Sequence, residues 1–118
     1  MPRGVRRRYL ALKLVSDGSV RREELMNAIW DAIIQLWGEY GASQTDLALI
    51  RYSSERDYAI LRCSHRALEM VKASIVCITE IEGKPVAVHV KRVSGTLKAL
   101  LKKVQFSDSS LSEGKDWK

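Results

Sequence analysis

Residues 6–16, RRRYLALKLVS, constrain the fold more strongly than any other part of the sequence. Their side chains alternate in character, and in an extended strand alternate side chains point to opposite faces. One face carries only leucine: Leu10, Leu12 and Leu14. The other carries an aromatic residue, a lysine and two apolar residues: Tyr9, Ala11, Lys13 and Val15. The segment is therefore predicted to be a central strand, with its leucine face on a core and its other face open to a charged partner.

The rest of the chain alternates between strand and helix patterns. Strand periodicity recurs at residues 46–53, 58–64 and 85–93, and helical periodicity at residues 21–40, 66–78 and 96–104. We expect Gly38 to loosen the end of the first helix and Gly41 to terminate it. The order β-α-β-β-α-β, followed by a helix, is typical of ferredoxin-like and RRM-like α+β folds. It predicts a four-stranded antiparallel sheet, two helices on one face and an extra C-terminal amphipathic helix.

The predicted organisation is one domain with a polar segment at each end. A chain of 118 residues fits a single domain, and we assign it to residues 6–104. Residues 1–5 are predicted to be a flexible basic arm, and residues 105–118, rich in Ser, Asp and Lys, a disordered tail. No apolar run reaches the roughly 20 residues of a membrane span, and no signal peptide is visible. We therefore expect a cytoplasmic protein without a membrane partner.

The net charge of +6 is concentrated in two blocks that contain no acidic residue. The first lies at the N-terminus: Arg3, Arg6, Arg7 and Arg8. The second spans residues 84–103: Lys84, Lys91, Arg92, Lys98, Lys102 and Lys103. Such blocks favour polyanions, so the sequence predicts contact with RNA or DNA.

The outer face of the predicted sheet combines aromatic and basic side chains: Tyr9, Lys13, Tyr58, Arg62, His89 and Lys91. RNA-binding sheets stack bases on aromatic rings and hold phosphates with cations. However, the third strand lacks the aromatic-rich motif of an RNA-recognition motif. Sequence-specific reading of single strands is therefore not expected. Leucines of the last helix either cover this face or join a partner surface: Leu97, Leu100 and Leu101.

The first helix is apolar over a wider arc than packing on one sheet requires. One stripe comprises Leu25, Ile29, Ala32, Leu36 and Tyr40. A second stripe beside it comprises Met26, Trp30, Ile33 and Trp37, with Ile34 at its border. Either the second helix or a protein partner covers the surplus. The candidate partner-interface residues are Met26, Trp30, Ile34 and Trp37.

No constellation of residues indicates catalysis by this chain alone. The histidines are His65 and His89, and nucleophile-elbow, P-loop and zinc-helix motifs are absent from the sequence. Cys63 and Cys77 lie in apolar segments and are predicted to be reduced core residues. We therefore assign no catalytic residue, no metal site and no cofactor bound by the protein itself.

Three segments resemble one known family. They are RRRYLALKLVSDG at residues 6–18, LIRYSSERDYAILRCSHRALEMVKASI at residues 49–75 and HVKRVSGTLKALLKK at residues 89–103. In this order and spacing they resemble ribonuclease P protein component 2 of archaea, the family whose eukaryotic member is called Pop-five. The resemblance spans residues 6–104.

This resemblance implies a subunit of ribonuclease P, the ribonucleoprotein endonuclease that hydrolyses the 5′ leader from precursor tRNA. The RNA of that complex is the catalyst and uses magnesium, so the chain would not be catalytic alone. The implied partners are ribonuclease P RNA, precursor tRNA indirectly, and a protein subunit with a TIM-barrel-like fold. The resemblance also implies a homodimer within a 2+2 heterotetramer.

On this basis we expect phosphate contacts from Arg6, Arg7, Arg8, Lys91, Arg92, Lys98, Lys102 and Lys103. Further candidates are Arg51, Arg62 and Arg66. The alternative is a dimeric ferredoxin-like regulatory or assembly module that does not depend on RNA. It would explain the wide apolar helix but not the two basic blocks.

Overall fold

A computed structural model describes residues 6–107, and the side chains of residues 6–103. The predicted arm at residues 1–5 and most of the predicted tail, residues 108–118, lie outside the described residues. Within the described part, five strands form one sheet in the order β2-β3-β1-β5-β4. The strands are β1 (Arg7–Ser16), β2 (Ala48–Ser53), β3 (Tyr58–Ser64), β4 (Glu80–Ile81) and β5 (Lys84–Ser94). The helices are α1 (Arg22–Ser43), α2 (Leu68–Val76), which follows a 3₁₀ turn (His65–Ala67), and α3 (Leu97–Ser107).

The predicted central strand is confirmed, because β1 pairs antiparallel with β3 on one side and with β5 on the other. Its three leucines are 0–1% exposed and face the main core. On the adjacent strand β3, Ala59 and Leu61 join the same core. Alternation over residues 6–16 therefore identified both the strand and its buried face.

Helices α1 and α2 cover the leucine face of the sheet. Their buried contributions to the main core are Leu25, Ile29 and Ile33 from α1 and Val71 and Ile75 from α2. These buried residues of each helix are four positions apart, so they share one helix face. Among residues 6–107, no helix is both long enough and apolar enough to cross a membrane.

The expected number of strands, four, was wrong, because residues 80–85 form a hairpin that adds a fifth strand to the sheet. Ile81 pairs with Lys84, so Glu82 and Gly83 make a two-residue connection. Both have positive φ, 53° and 79°, as type I′ hairpin turns require. Strand β4 has only two residues, too few to produce a visible alternation in the sequence.

Helix α1 is bent at Gly38 and ends later than predicted. Gly38 has φ 77° and ψ 174°, so the expected loosening is confirmed. The predicted end at Gly41 was wrong, since helical residues continue to Ser43. Gly41 is buried beside α2, and a Cβ there would lie 2.7 Å from Trp37 Cβ and 3.7 Å from Met70 Cε. The tight contact is with Trp37 of the same helix, across the bend at Gly38, so close packing within α1, and not a helix terminus, explains a glycine at this position.

Replacing Gly41 by alanine should therefore destabilise the protein. The added methyl group would overlap Trp37 Cβ, which can move only if the backbone of α1 moves, and such overpacking costs about 1–3 kcal/mol. Alanine is favoured over glycine in a helix by about 1 kcal/mol, so the net loss will be smaller than the clash alone. Urea unfolding of the G41A variant gives the difference in free energy.

Gly18→Ala is the matched control, because nothing lies within 4 Å of a Cβ at Gly18. We expect the G18A variant to unfold at the same urea concentration as the parent or slightly above it. Equal midpoints for the two alanine variants would contradict the packing argument.

Helix α3 lies on the opposite face of the sheet from α1 and α2. Leu100 is 0% exposed and packs in a second cluster with Ala11, Tyr58 and Ile60. Leu97 and Leu101 are half-buried against the same cluster. The helix begins after Thr96, whose Oγ1 accepts the Ala99 N–H at 3.1 Å. Of the two roles left open for these leucines, they cover the outer face.

Candidate nucleic-acid interface

The central position of β1 brings the two basic blocks together at one end of the sheet. The Arg6 carbonyl accepts the His65 N–H at 2.7 Å, and this hydrogen bond joins the first basic block to the start of the 3₁₀ turn. On the other side, Arg8 Nη1 lies 3.4 Å from where a Cβ on Gly95 would sit. We call this region, comprising Arg6, Arg7, Arg8, His65 and Gly95, the arm end. More than 70 residues separate the two blocks in sequence, yet they meet here.

A β-bulge in β5 exposes two consecutive cations. Ala11 pairs with Arg92 and Leu12 pairs with Val90, so Lys91 is an extra residue between them. In a regular strand one of two neighbouring residues would face the core, whereas Lys91 and Arg92 are both exposed. The bulge therefore presents them side by side at the surface. It also removes Lys91 from the regular outer-face alternation in which we had placed it.

The lysines of α3 point away from the apolar cluster that seats the helix. Lys98, Lys102 and Lys103 are exposed, while Leu97, Leu100 and Leu101 face the sheet. Lys103 Nζ reaches back to the Val93 carbonyl at 3.3 Å and so lies over β5. The first turn of α3 contains no acidic residue. Of the eight predicted phosphate contacts, all are exposed except Arg8, which is half-buried.

The outer face does not offer the aromatic platform that the sequence suggested. Tyr58 is only 7% exposed, because α3 packs over it. Lys13 Nζ lies 4.8 Å from the centre of its ring and donates to the Arg56 carbonyl at 3.1 Å. Tyr9 is half-buried against the α3 cluster. Tyr58 lies on the outer face, as predicted, but its ring is covered and cannot stack on a base.

Arg62 is the basic residue most enclosed within this face. It pairs across β1 with Tyr9 and across β2 with Ala48. Its Nε atom is buried without a hydrogen-bond partner among the described residues. Arg66 and His89 are exposed. These side chains are positioned near the two basic blocks but are less accessible or less clustered than the eight main candidates.

Sequence reasoning missed Asp46, which places a carboxylate within the arm end. Arg7 Nε donates to Asp46 Oδ2 at 2.8 Å, and both side chains are a little over 40% exposed. The two residues are 39 positions apart, so no local pattern could have revealed the pair. Asp46 has φ 49°, a left-handed conformation that Asp and Asn tolerate better than most residues.

The apolar surplus of α1 divides into a packed part and an exposed part. Met26 and Trp30 are half-buried against the main core, whereas Ile34 and Trp37 are 41% and 45% exposed. Trp37 Nε1 also donates to Ser74 Oγ at 3.0 Å, which fixes its ring against α2. Leu36 and Tyr40 were assigned to the buried stripe, but they are exposed, Tyr40 by 80%. We call Ile34, Leu36, Trp37 and Tyr40 the α1 apolar surface.

The carboxylates cluster elsewhere, in a groove of about 470 Å³ between α1 and the α2–β4 connection. Four of them line it: Glu24, Asp31, Glu80 and Glu82. Glu24 accepts the backbone N–H of Arg21 at 3.0 Å, and this hydrogen bond lowers the pKa of its carboxyl group. The acidic groove therefore gathers four carboxylates on the helical layer.

The two cysteines differ from each other. Cys63 is buried, as predicted, and burial raises the pKa of its thiol to about 11, so little thiolate forms at neutral pH. Cys77 is exposed, so its assignment to the core was wrong. It follows the last residue of α2, where the helix stripe no longer faces the sheet.

Comparison with known proteins agrees with the resemblance drawn from the sequence. The chain is similar to ribonuclease P protein component 2 of Pyrococcus furiosus, with 31% identity over 98 residues, which is 83% of this chain and 82% of the relative. It is similar to the same component of Methanocaldococcus jannaschii, with 34% identity over 93 residues, 79% of this chain and 68% of that one.

Among solved structures, the fold matches a chain in the cryo-EM structure of yeast ribonuclease MRP with a TM-score of 0.67. That match covers 96% of this chain and 98% of the other at 14% identity, so it supports the fold. The model of the Rpp14/Pop5 family matches residues 8–105, which include strands β2 to β5 and all of β1 except its first residue. The chain is therefore a member of the Rpp14/Pop5 family.

Proposed function

We propose that this chain is an RNA-binding protein subunit of ribonuclease P, the ribonucleoprotein endonuclease that removes the 5′ leader of precursor tRNA. One observation carries the proposal: in a member of the Rpp14/Pop5 family, Arg8 of the first basic block lies against Gly95 of the second, so the two blocks meet at the arm end. The RNA is the catalyst, and the chain binds and organises it together with a partner protein. Precursor tRNA is contacted indirectly, through the RNA.

The proposed mechanism is electrostatic. Eight cations neutralise phosphates and so reduce the repulsion between RNA segments that must pack closely: Arg6, Arg7, Arg8, Lys91, Arg92, Lys98, Lys102 and Lys103. Each contact releases counterions, so the logarithm of affinity falls by about 0.7–0.9 per phosphate for each tenfold rise in salt. Because Tyr58 is covered by α3, base stacking on the sheet contributes little. The magnesium ions of the reaction are assigned to the RNA.

The α1 apolar surface is the proposed contact for the protein partner. Exposed Trp, Tyr, Ile and Leu side chains in one helical segment are typical of an interface core, and its location on α1 leaves the arm end and the lysines of α3 available to RNA. The proposed partner is the ribonuclease P subunit with a TIM-barrel-like fold, and two copies of each chain form the proposed 2+2 heterotetramer. Met26 and Trp30 support this surface from beneath.

Replacing Ile34 and Tyr40 together by serine should weaken partner binding while leaving the isolated chain folded. Both side chains are exposed in the isolated protein, so their loss should change its stability by less than about 1 kcal/mol. Buried apolar anchors at an interface contribute about 1–2 kcal/mol or more each, so affinity for the partner should fall by at least about tenfold. Calorimetric titration measures this loss, with thermal unfolding as the fold control.

The matched control is Gln35→Ala, an exposed change between the two altered positions. It should leave partner affinity unchanged. If the I34S/Y40S variant binds the partner as tightly as the parent does, the α1 apolar surface is not the interface.

A salt series with RNA and DNA tests the proposed function. The probes are a transcript of the catalytic domain of an archaeal ribonuclease P RNA and a DNA duplex of equal charge, each with and without the partner subunit. We expect tight RNA binding, a steep salt slope, a preference over DNA, and a requirement for the chain in reconstituted tRNA cleavage. If the chain binds both probes weakly even with the partner subunit present, and is itself a dimer, the result would favour the RNA-independent assembly module. The exposed α1 apolar surface is also compatible with such a module.

The proposal extends to the domain organisation and the source of the chain. The strand order β2-β3-β1-β5, with α1 and α2 on one face, supports a ferredoxin-like, RRM-like domain over residues 6–104 to which β4 is added. The relatives named above are archaeal, which supports an archaeal protein that acts in the cytoplasm.

A further inference from the structure

The ion pair between Arg7 and Asp46 uses only one side of the arginine. Nε donates to the carboxylate at 2.8 Å, and the two terminal nitrogens, Nη1 and Nη2, have no acceptor among the described residues. A guanidinium presents two donor edges, and the end carrying both Nη atoms matches the oxygens of a phosphate in a bidentate way. Asp46 therefore fixes one edge of Arg7 and leaves the phosphate-binding edge free.

The frame that holds this pair is rigid. Arg7 pairs with Ser64 across β1 and β3. The Ser64 N–H donates to the Thr45 carbonyl at 2.7 Å, and Thr45 is completely buried, with its Oγ1 donating to the Ala42 carbonyl at 2.8 Å. Asp46 follows directly. One continuous row of contacts therefore ties the backbone of Asp46 to the backbone of Arg7.

A carboxylate at this position is electrostatically unfavourable for binding a polyanion. Asp46 and Arg8 both act on Cys63 and shift its pKa in opposite directions, so the carboxylate lies within the cationic arm end. If charge alone mattered, Asp46 would only repel phosphate. Its hydrogen bond to Nε offers a compensating effect, because holding a long flexible side chain in its bound orientation reduces the entropy lost on binding.

We propose that Asp46 is a positioning residue for RNA binding, which aims the Nη edge of Arg7 at a phosphate of the bound RNA. This inference rests on the proposed function and adds a role for an acidic side chain. It makes a prediction opposite in sign to that of charge alone: neutralising Asp46 weakens RNA binding.

The test is a double-mutant cycle with the catalytic-domain transcript, using the full chain and its partner subunit. The variants are D46N, R7A and R7A/D46N. Asparagine keeps the size of Asp46 and tolerates its positive φ, so thermal unfolding should change little. D46N should weaken binding about three- to fivefold, the size of an exposed ion-pair coupling, and lower the salt slope by about one unit, as R7A does. In the R7A background, D46N should cause no further loss.

Asp57→Asn is the matched control, since Asp57 also has positive φ, 58°, but lies in the β2–β3 turn. It should leave the affinity and the salt slope unchanged. The inference is overturned if D46N binds RNA as tightly as the parent, if R7A has no effect, or if D46N causes the same loss with and without Arg7. A parent chain that neither binds the transcript nor supports tRNA cleavage would instead overturn the proposed function itself.

Discussion

Reversing the charge of Lys98, Lys102 and Lys103 together should weaken RNA binding on the order of a hundredfold or more at moderate salt. Each side chain is exposed on the solvent side of α3, where it can reach a phosphate. Glutamate at the same positions removes three favourable contacts and adds repulsion. The salt slope should fall by about two to three units, since each phosphate contact contributes nearly one.

The fold should survive this change, because α3 is held by its opposite side. Leu97, Leu100 and Leu101 make the contacts with the sheet, and none of them is altered. Lys103 loses its hydrogen bond to the Val93 carbonyl, a loss at an exposed site of about 1 kcal/mol or less. Circular dichroism and thermal unfolding should therefore resemble those of the parent chain.

A charge-matched control separates local contact from net charge. Arg21, Arg22 and Lys72 lie outside the two basic blocks, at the start of α1 and in α2, and changing all three to glutamate alters the net charge by the same amount. We expect this variant to lose much less RNA affinity, apart from a small loss of stability from its broken ion pairs. Equal losses in the two variants would show that binding depends on overall charge, and that α3 is not part of the interface.

The parts of the fold that were predicted correctly share one property: a long periodic pattern with one strongly buried face. Alternation over residues 6–16 was enough to identify β1, because a shift of one residue would expose all three leucines. Helical periodicity likewise grouped Leu25 and Ile29 on the stripe that packs on the sheet, and both are in the core. These features depend on local sequence alone.

The features that were missed depend on contacts between distant residues or on the extent of the sheet. Leu36 and Tyr40 continue the α1 stripe, yet they are exposed. Helical periodicity does not show how far along α1 the sheet and α2 extend to cover the stripe. The bulge at Lys91 is visible only in the pairing of β5 with β1. The burial of Tyr58 required knowing that α3 folds back over the outer face.

The candidate site follows the same division. The eight cations were identified from composition, but their meeting at the arm end comes from the strand order, which places β1 between β3 and β5. The role of Asp46 could not be predicted from the sequence, because its partner Arg7 lies 39 positions away. A carboxylate that orients an arginine side chain is recognised only from the distance between the two groups in the folded protein.

Replacing Leu100 by alanine should destabilise the protein by about 2–4 kcal/mol, since a fully buried leucine leaves a cavity when truncated. Leu36→Ala is the matched control: the same substitution at an exposed leucine should cost less than about 1 kcal/mol. Urea unfolding of both variants measures the difference. Equal stabilities would mean that α3 is not seated on the sheet.

The Leu100 variant also links packing to RNA binding, because it changes no charge. Leu100 contacts Ala11, Tyr58 and Ile60, and it is the only leucine of α3 that is fully buried within the described residues. If the three lysines depend on α3 for their placement, L100A should lower RNA affinity at a temperature where the rest of the chain stays folded. An L100A variant that is less stable yet binds RNA as tightly as the parent would show that the lysines act without a fixed position. The salt slope distinguishes these two results. If the lysines are displaced from the phosphates, they release no counterions and the slope falls; if they still contact the phosphates, the slope is unchanged.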